Sequence, residues 1–176
     1  MNITRSGDRY LTIGAAVEAI PAGTTNPEVS HGAFLIGQFN DLEDVQDPNS
    51  GAISFSMSNV TWKVRVHPAE LKIGLQDVDY DSGRTSDGWM KRNKKAIKRT
   101  ISAELPPMTK DELSLVLKAI DPVDSGNLVP MFPVKYLDPW EGGYRTRAFY
   151  SGDRVAPMYN GVMNLWENLP LEFVEM

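Results

Sequence analysis

Cysteine is absent from the 176-residue chain. That removes disulfides, thiolate metal ligands and a cysteine nucleophile together, and makes folding in a reducing cytoplasm the expectation. Histidine is scarce: only His31 and His67 are present, neither with a carboxylate or a second ligand beside it at metal spacing. A histidine-built metal centre is therefore not expected. The G-x-S-x-G elbow, a Walker-type phosphate loop and G-x-G-x-x-G are also missing. No catalytic, cofactor-binding or metal-binding residue is assigned, and enzymatic activity is not expected. Positive charge is in deficit, with a formal net charge of -5, so sequence-specific nucleic-acid binding is not expected of a chain without surplus cations to neutralise phosphates. No window approaches 18 consecutive apolar residues and the start, MNITRSGDRYLTIG, lacks a basic and then apolar leader, so neither membrane insertion nor signal-directed export is expected.

What is present reads mainly as β structure with one α-helix. YLTIGAAVEAI, GAFLIGQF and AISFSMS are expected strands, separated by the turn-rich loops PAGTTNPEVSHG and NDLEDVQDPNSG. The second loop carries Asp41, Glu43, Asp44 and Asp47, but lacks the glycine and terminal glutamate spacing of a calcium-binding EF-hand loop. Trp62, Val64 and Val66 then alternate with Thr61, Lys63 and Arg65, and Leu71, Ile73 and Leu75 resume the period of two. Ile101, Ala103 and Leu105 mark another strand. MTKDELSLVLKAIDP is the expected helix. Thr109 and Glu112 have the spacing of a capping box, Met108 and Leu113 that of a hydrophobic staple, and Leu113, Val116, Leu117 and Ile120 form one stripe. FPVKYLDPWEGGYRTRAFY reads as two strands joined over Asp138–Gly143, and Leu169, Leu171 and Phe173 alternate in a closing strand.

Two charged stretches invite a functional reading. Arg84 to Arg99 holds seven lysines or arginines against one aspartate, and the arm Asp77–Arg99, broken by Gly83 and Gly88, is expected to be mobile in a lone subunit. Trp89 and Met90 would anchor it on a neighbour while Arg84, Lys91 and Arg92 meet acids there, with the Asp41–Asp47 loop as one such partner. The acids Asp77, Asp79 and Asp81 could be drawn as a glycosidase pair, but a salt-bridged loop with Arg84 is the commoner outcome of such spacing. The second stretch is YLDPWEGGYRTRAFYSGDRVAPMYN. There Asp138, Glu141 and Asp153 are expected to face Arg145, Arg147 and Arg154 across two short turns, beside Trp140, Tyr144 and Tyr159. Arginine and aromatic enrichment suits the centre of a protein interface. Sugar stacking on Trp140 and Tyr144 is the alternative use of the same rings.

The blocks LKIGLQDVD, DSGRTSDGWMKR, the T-x-x-E helix and KYLDPWEGGYRTRAFYSGDR, in that order, resemble an uncharacterised family of small proteins encoded in the tail modules of long-tailed (siphovirus-type) bacteriophages and prophages. The resemblance covers the chain from about Trp62 to Met176. It divides the sequence into a β-rich N-terminal extension or insertion over residues 1–60 and a tail-component, β-barrel-like domain over 61–176. It implies a small β-barrel or sandwich of the tail-tube or distal-tail type with a flanking helix, made in the host bacterial cytoplasm and located in the virion tail. The implied role is a distal-tail or baseplate ring component near the tape-measure end, whose partners are further copies of itself and other tail proteins. A tail-tube subunit and a host-surface carbohydrate-binding module are the alternatives. Arg84, Trp89, Met90, Lys91, Arg92, Trp140, Arg145, Asp153 and Arg154 are the expected assembly-interface residues.

Overall fold

The computed structural model describes residues 16–29, 32–41, 45, 53–84, 86–88, 90–120, 131–152 and 157–176, with the backbone alone for 78–84 and 90–95. Ten strands and one helix follow in the order β1 (Val17–Ala19), β2 (Phe34–Phe39), β3 (Val60–Val66), β4 (Glu70–Arg84), β5 (Met90–Glu104), α1 (Lys110–Ile120), β6 (Met131–Asp138), β7 (Gly143–Ser151), β8 (Met158–Asn160), β9 (Leu165–Glu167) and β10 (Pro170–Glu175). Eight of the strands make one antiparallel sheet in the order β1-β3-β2-β6-β7-β10-β5-β4, while β8 and β9 form a separate small hairpin. The expectation of a mainly β chain with one helix holds.

The expected closed barrel does not form. The sheet is open, with β1 and β4 as its edges among the described residues. Closure would require a three-residue strand to pair with a fifteen-residue one, and β4 instead spends its length on β5. The sheet is nevertheless strongly curled. β2 and β10 are three strands apart, roughly 14 Å in a flat sheet, yet the rings of Phe34 and Phe173 stand edge-on with centroids 6.0 Å apart. Strands β1 and β2, from the segment expected as an N-terminal extension, belong to the same sheet as the rest, with β2 between β3 and β6.

The concave face holds the core. Strand alternation places Phe34 and Ile36, Val64 and Val66, Ile101 and Ala103, Phe132, Val134 and Tyr136, Phe149, and Leu171 and Phe173 on it. The helix closes it with Leu113, Val116 and Ile120. The capping box is made as the spacing predicts: the Thr109 amide donates to Glu112 Oε2 at 3.1 Å, and the Glu112 amide donates to Thr109 Oγ1 at 3.4 Å. Thr109→Ala should therefore cost about 1 kcal/mol, read as a lower urea midpoint with an unchanged slope. In β2 the register shifts between Ile36 and Gly37. A Cβ at Gly37 would lie 2.9 Å from the Thr61 carbonyl oxygen, so only glycine lets β3 pass this closely.

Two expected elements differ. AISFSMS is not a strand over its described part: Met57–Asn59 is a 3-10 turn, while Ile53 and Phe55 pack on Phe39 from the convex side. Their alternation reflects one buried side of an irregular segment. The stretch from Asp77 to Arg84, expected as a salt-bridged loop, is instead one strand of a β-hairpin, since Asp77 stands opposite Ile97, Asp79 opposite Lys94, Asp81 opposite Asn93 and Arg84 opposite Met90. Its sequence lacks an apolar period because β10 reaches only Thr100–Glu104 of β5, leaving the outer ribbon with no strand beyond either edge among the described residues.

Candidate functional site

The alternation that buries the core also carries charges onto the same face. Arg99 shares strand parity with Ile101 and Ala103, Asp138 with Val134 and Tyr136, Arg147 with Phe149, and Glu175 with Leu171 and Phe173. These residues lie on β5, β6, β7 and β10, which gather them at one end of the concave face. Glu141, from the β6–β7 turn, completes the group.

Asp138 is its buried centre, with no solvent exposure. Its Oδ1 accepts from the backbone amides of Trp140 at 2.9 Å and Glu141 at 3.3 Å, and the Gly142 amide donates to its carbonyl at 2.8 Å. The same side chain thus ties the turn. Its Oδ2 accepts from Arg99 Nε at 3.1 Å and from the Tyr136 hydroxyl at 3.3 Å. Glu141 joins the arginines: Arg99 Nη2 donates to its Oε1 at 3.3 Å, Arg147 Nη2 to the same oxygen at 2.5 Å, and Arg145 Nε to its Oε2. Glu175 accepts from Arg147 Nη1 at 3.1 Å and from the Arg99 backbone amide at 2.7 Å. Three guanidinium groups therefore balance three carboxylates across four neighbouring strands.

Burial pushes the Asp138 carboxyl up, but the Trp140 and Glu141 amides and the Arg99 guanidinium outweigh it and hold the group below its ordinary range. Glu141 is held low chiefly by its bond to Arg145, with Arg147 adding to it against a smaller burial effect. Burial raises the Tyr136 phenol, and the Asp138 charge raises it further. At neutral pH Asp138 and Glu141 are ionised and the Tyr136 phenol is protonated, a state suited to holding strands together. Because both carboxyl values are lowered on folding, the stability they add is complete above the unfolded range, about pH 4, and disappears as pH falls through the folded values. Thermal melts should show a steady midpoint from neutrality to about pH 5 and a steep acid limb below it. In Asp138→Asn that limb should be shallower.

Of the expected interface residues, Arg145 is half-exposed and pairs with Glu141 in its own hairpin. Trp140 is exposed at the β6–β7 turn. Arg84, Met90, Lys91 and Arg92 fall at the far end of the ribbon, where Lys91 stands opposite Gly83 and Arg92 opposite Ser82. Trp89, Asp153 and Arg154 lie outside the described residues, as do His31 and most of the Asp41–Asp47 loop. Asp138 pairs with Arg99, where Arg145, Arg147 or Arg154 was expected. Two members of the cluster, Arg99 and Glu175, escaped the sequence reading although each sits at an apolar parity position. His67 does have a carboxylate beside it: Nε2 lies 3.3 Å from Glu18 Oε2, which Arg65 also reaches at 3.3 Å. No group of three or more histidine, aspartate or glutamate side chains arranged to hold a metal occurs among the described residues, and no described helix is long and apolar enough to cross a membrane.

Residues 53–176 match a protein family described as "Family of unknown function (DUF6711)". No curated protein and no solved structure matches the chain.

Proposed function

We propose, for a chain that belongs to the DUF6711 family of unknown function, that it is a structural protein of a bacteriophage tail, acting by assembly as a ring component of the distal tail or baseplate near the tape-measure end. The observation that carries the reading is the β4–β5 hairpin. It has fifteen residues in each strand, its root is held by β10, and its outer part is paired only with itself among the described residues. A two-stranded ribbon is marginal alone, and β4 presents an edge with no partner strand among the described residues, of the kind that natural proteins cover or protect. A subunit that lays such an arm on its neighbour resolves both problems at once. The sequence blocks that resemble tail-module proteins support the same role.

The register also supplies a charge pattern for the arm. Asp79 of β4 stands opposite Lys94 of β5, an acid–base pairing suited to cross-strand attraction. In the isolated chain, trypsin should cut first within Lys91–Lys95, because ribbon hydrogen bonds at a free edge open more readily than those of the core sheet. In assembled particles that cut should be suppressed. Equal resistance in both states would remove the arm from the assembly.

Mass spectrometry of purified virions from the phage that encodes the chain tests the reading directly. Presence alongside the other tail proteins is expected, and absence overturns it. Copy number separates a tip component, present in one or two rings, from a stacked tube subunit. The exposed Trp140 ring leaves the sugar-stacking alternative testable: cell-wall binding lost in Trp140→Ala would support it.

A further inference from the structure

The β8–β9 hairpin concentrates exposed apolar surface to an extent unmatched elsewhere among the described residues. Met158 is 53% exposed, Tyr159 50%, Met163 58% and Val162 97%. Single exposed apolar side chains are ordinary, but four within six residues make a patch. The tip is also held in shape. Asn160 Oδ1 accepts from the amides of Val162 at 3.1 Å and Met163 at 3.2 Å, and the Tyr159 hydroxyl donates to Asn164 Oδ1 at 2.5 Å. Asn164 adopts the left-handed region, at φ 55°, and Tyr159 packs on Trp166 with ring centroids 5.0 Å apart. An apolar tip fixed in advance loses little conformational freedom when it inserts into a partner.

A matching recess lies on the same chain. Between α1 and the sheet, Val64, Leu115, Ala119, Met131 and Phe132, together with Lys63 and Lys118, line a mainly apolar cleft of about 260 Å³ among the described residues. Trp166 bridges to Met108, just before α1 begins, whereas Leu115 and Ala119 lie in its later turns, and Met108 to Ala119 spans roughly 16 Å along the helix. The root of the wedge thus sits beside the start of α1, and the cleft lies along its middle and last turns.

We propose that the β8–β9 tip, led by Val162 and Met163, inserts into the α1–sheet cleft of a second copy of this chain. Glu167, beside the wedge through its bond to Asn160, is opposite in charge to Lys63 and Lys118 of the cleft lining. Because the two patches differ, the contact is head-to-tail: it repeats from copy to copy and gives a ring where the rotation closes, or a filament where it does not. The inference rests on the ring-subunit reading for its setting, and on the wedge and cleft alone for its geometry.

The absence of native cysteine makes disulfide trapping clean. Met163→Cys and Leu115→Cys proteins are mixed in equal amounts and oxidised, with the exposed-loop variant Thr24→Cys in place of Leu115→Cys as control. The mixed Met163–Leu115 dimer is expected to exceed both like pairs and the control, and to be lost when Val162→Asp is added to the wedge partner. Val162 is so exposed that this change should leave the circular dichroism and melting of the monomer intact. Trapping no better than the control, or insensitive to Val162→Asp, overturns the proposal. The same link sought in virions separates the two readings. A chain found in tails without the link leaves the tail role standing and removes this contact. A link formed by a chain absent from virions does the reverse.

Discussion

Arg99→Ala is expected to lower the free energy of unfolding by about 3 kcal/mol, near the bottom of the range for breaking a buried ion pair at one partner. The side chain of Arg99 is 16% exposed and that of Asp138 wholly buried, so the loss strands a carboxylate that solvent cannot reach. The cost stays near the lower bound because the Trp140 and Glu141 amides continue to donate to Asp138. Urea unfolding of Arg99→Ala, Asp138→Ala and the double variant measures the coupling, which should be about 1–3 kcal/mol for groups in one network. Additivity within about 0.5 kcal/mol would show that the two act independently. Arg145→Ala, on the half-exposed rim of the same cluster, should change stability little, because exposed pairs are screened by water.

Phe173→Ala should be at least as damaging, at about 3–5 kcal/mol. Its ring is fully buried and meets Phe34 at 6.0 Å and Phe132 at 5.1 Å, edge-on in both cases, so truncation opens a cavity where the curled sheet closes on itself. Deleting 170–175 goes further. Among the described residues β10 is the only strand that joins the β4–β5 hairpin to β7, and without it the sheet divides into a five-stranded piece and a lone hairpin. Insoluble or unfolded protein is expected, since either loss is a large part of the 5–15 kcal/mol that holds a typical domain together. A soluble truncated chain with an unchanged melting transition would refute the central position of β10.

The parts legible in sequence were those in which local chemistry and tertiary burial agree. Thr109 and Glu112 announce the helix because the capping box is satisfied within four residues. Ile101 and Ala103, or Leu171 and Phe173, announce strands because one side of each strand is wet and the other dry. The ribbon over 77–99 gave no such signal, since its pairing is a property of the backbone and β10 reaches only Thr100–Glu104 of β5. The segment NLWENLPLEFVEM, which reads as one closing strand, holds two, β9 and β10, with Asn168 at φ 56° between them. The charged cluster was half legible. Glu141 with Arg145 and Arg147 is local in sequence, whereas Arg99 and Asp138 come from strands that β7 and β10 separate. Their one local mark is a charge placed where alternation calls for an apolar residue.

The position of β10 also orders events in time. It is the last strand in sequence, yet it is inserted between β7 and β5. The β4–β5 hairpin can form early from neighbouring residues, but one side of β5 must wait, unpaired, for a strand made some seventy residues later. During synthesis the chain therefore passes through a stage with two unsatisfied strand borders, those of β5 and β7, which are complementary to the same missing piece. A segment from another nascent chain can fill that slot as well as the chain's own. Yield on refolding should consequently fall with protein concentration, and adding β10 as a separate peptide during refolding of a chain that lacks it should restore solubility.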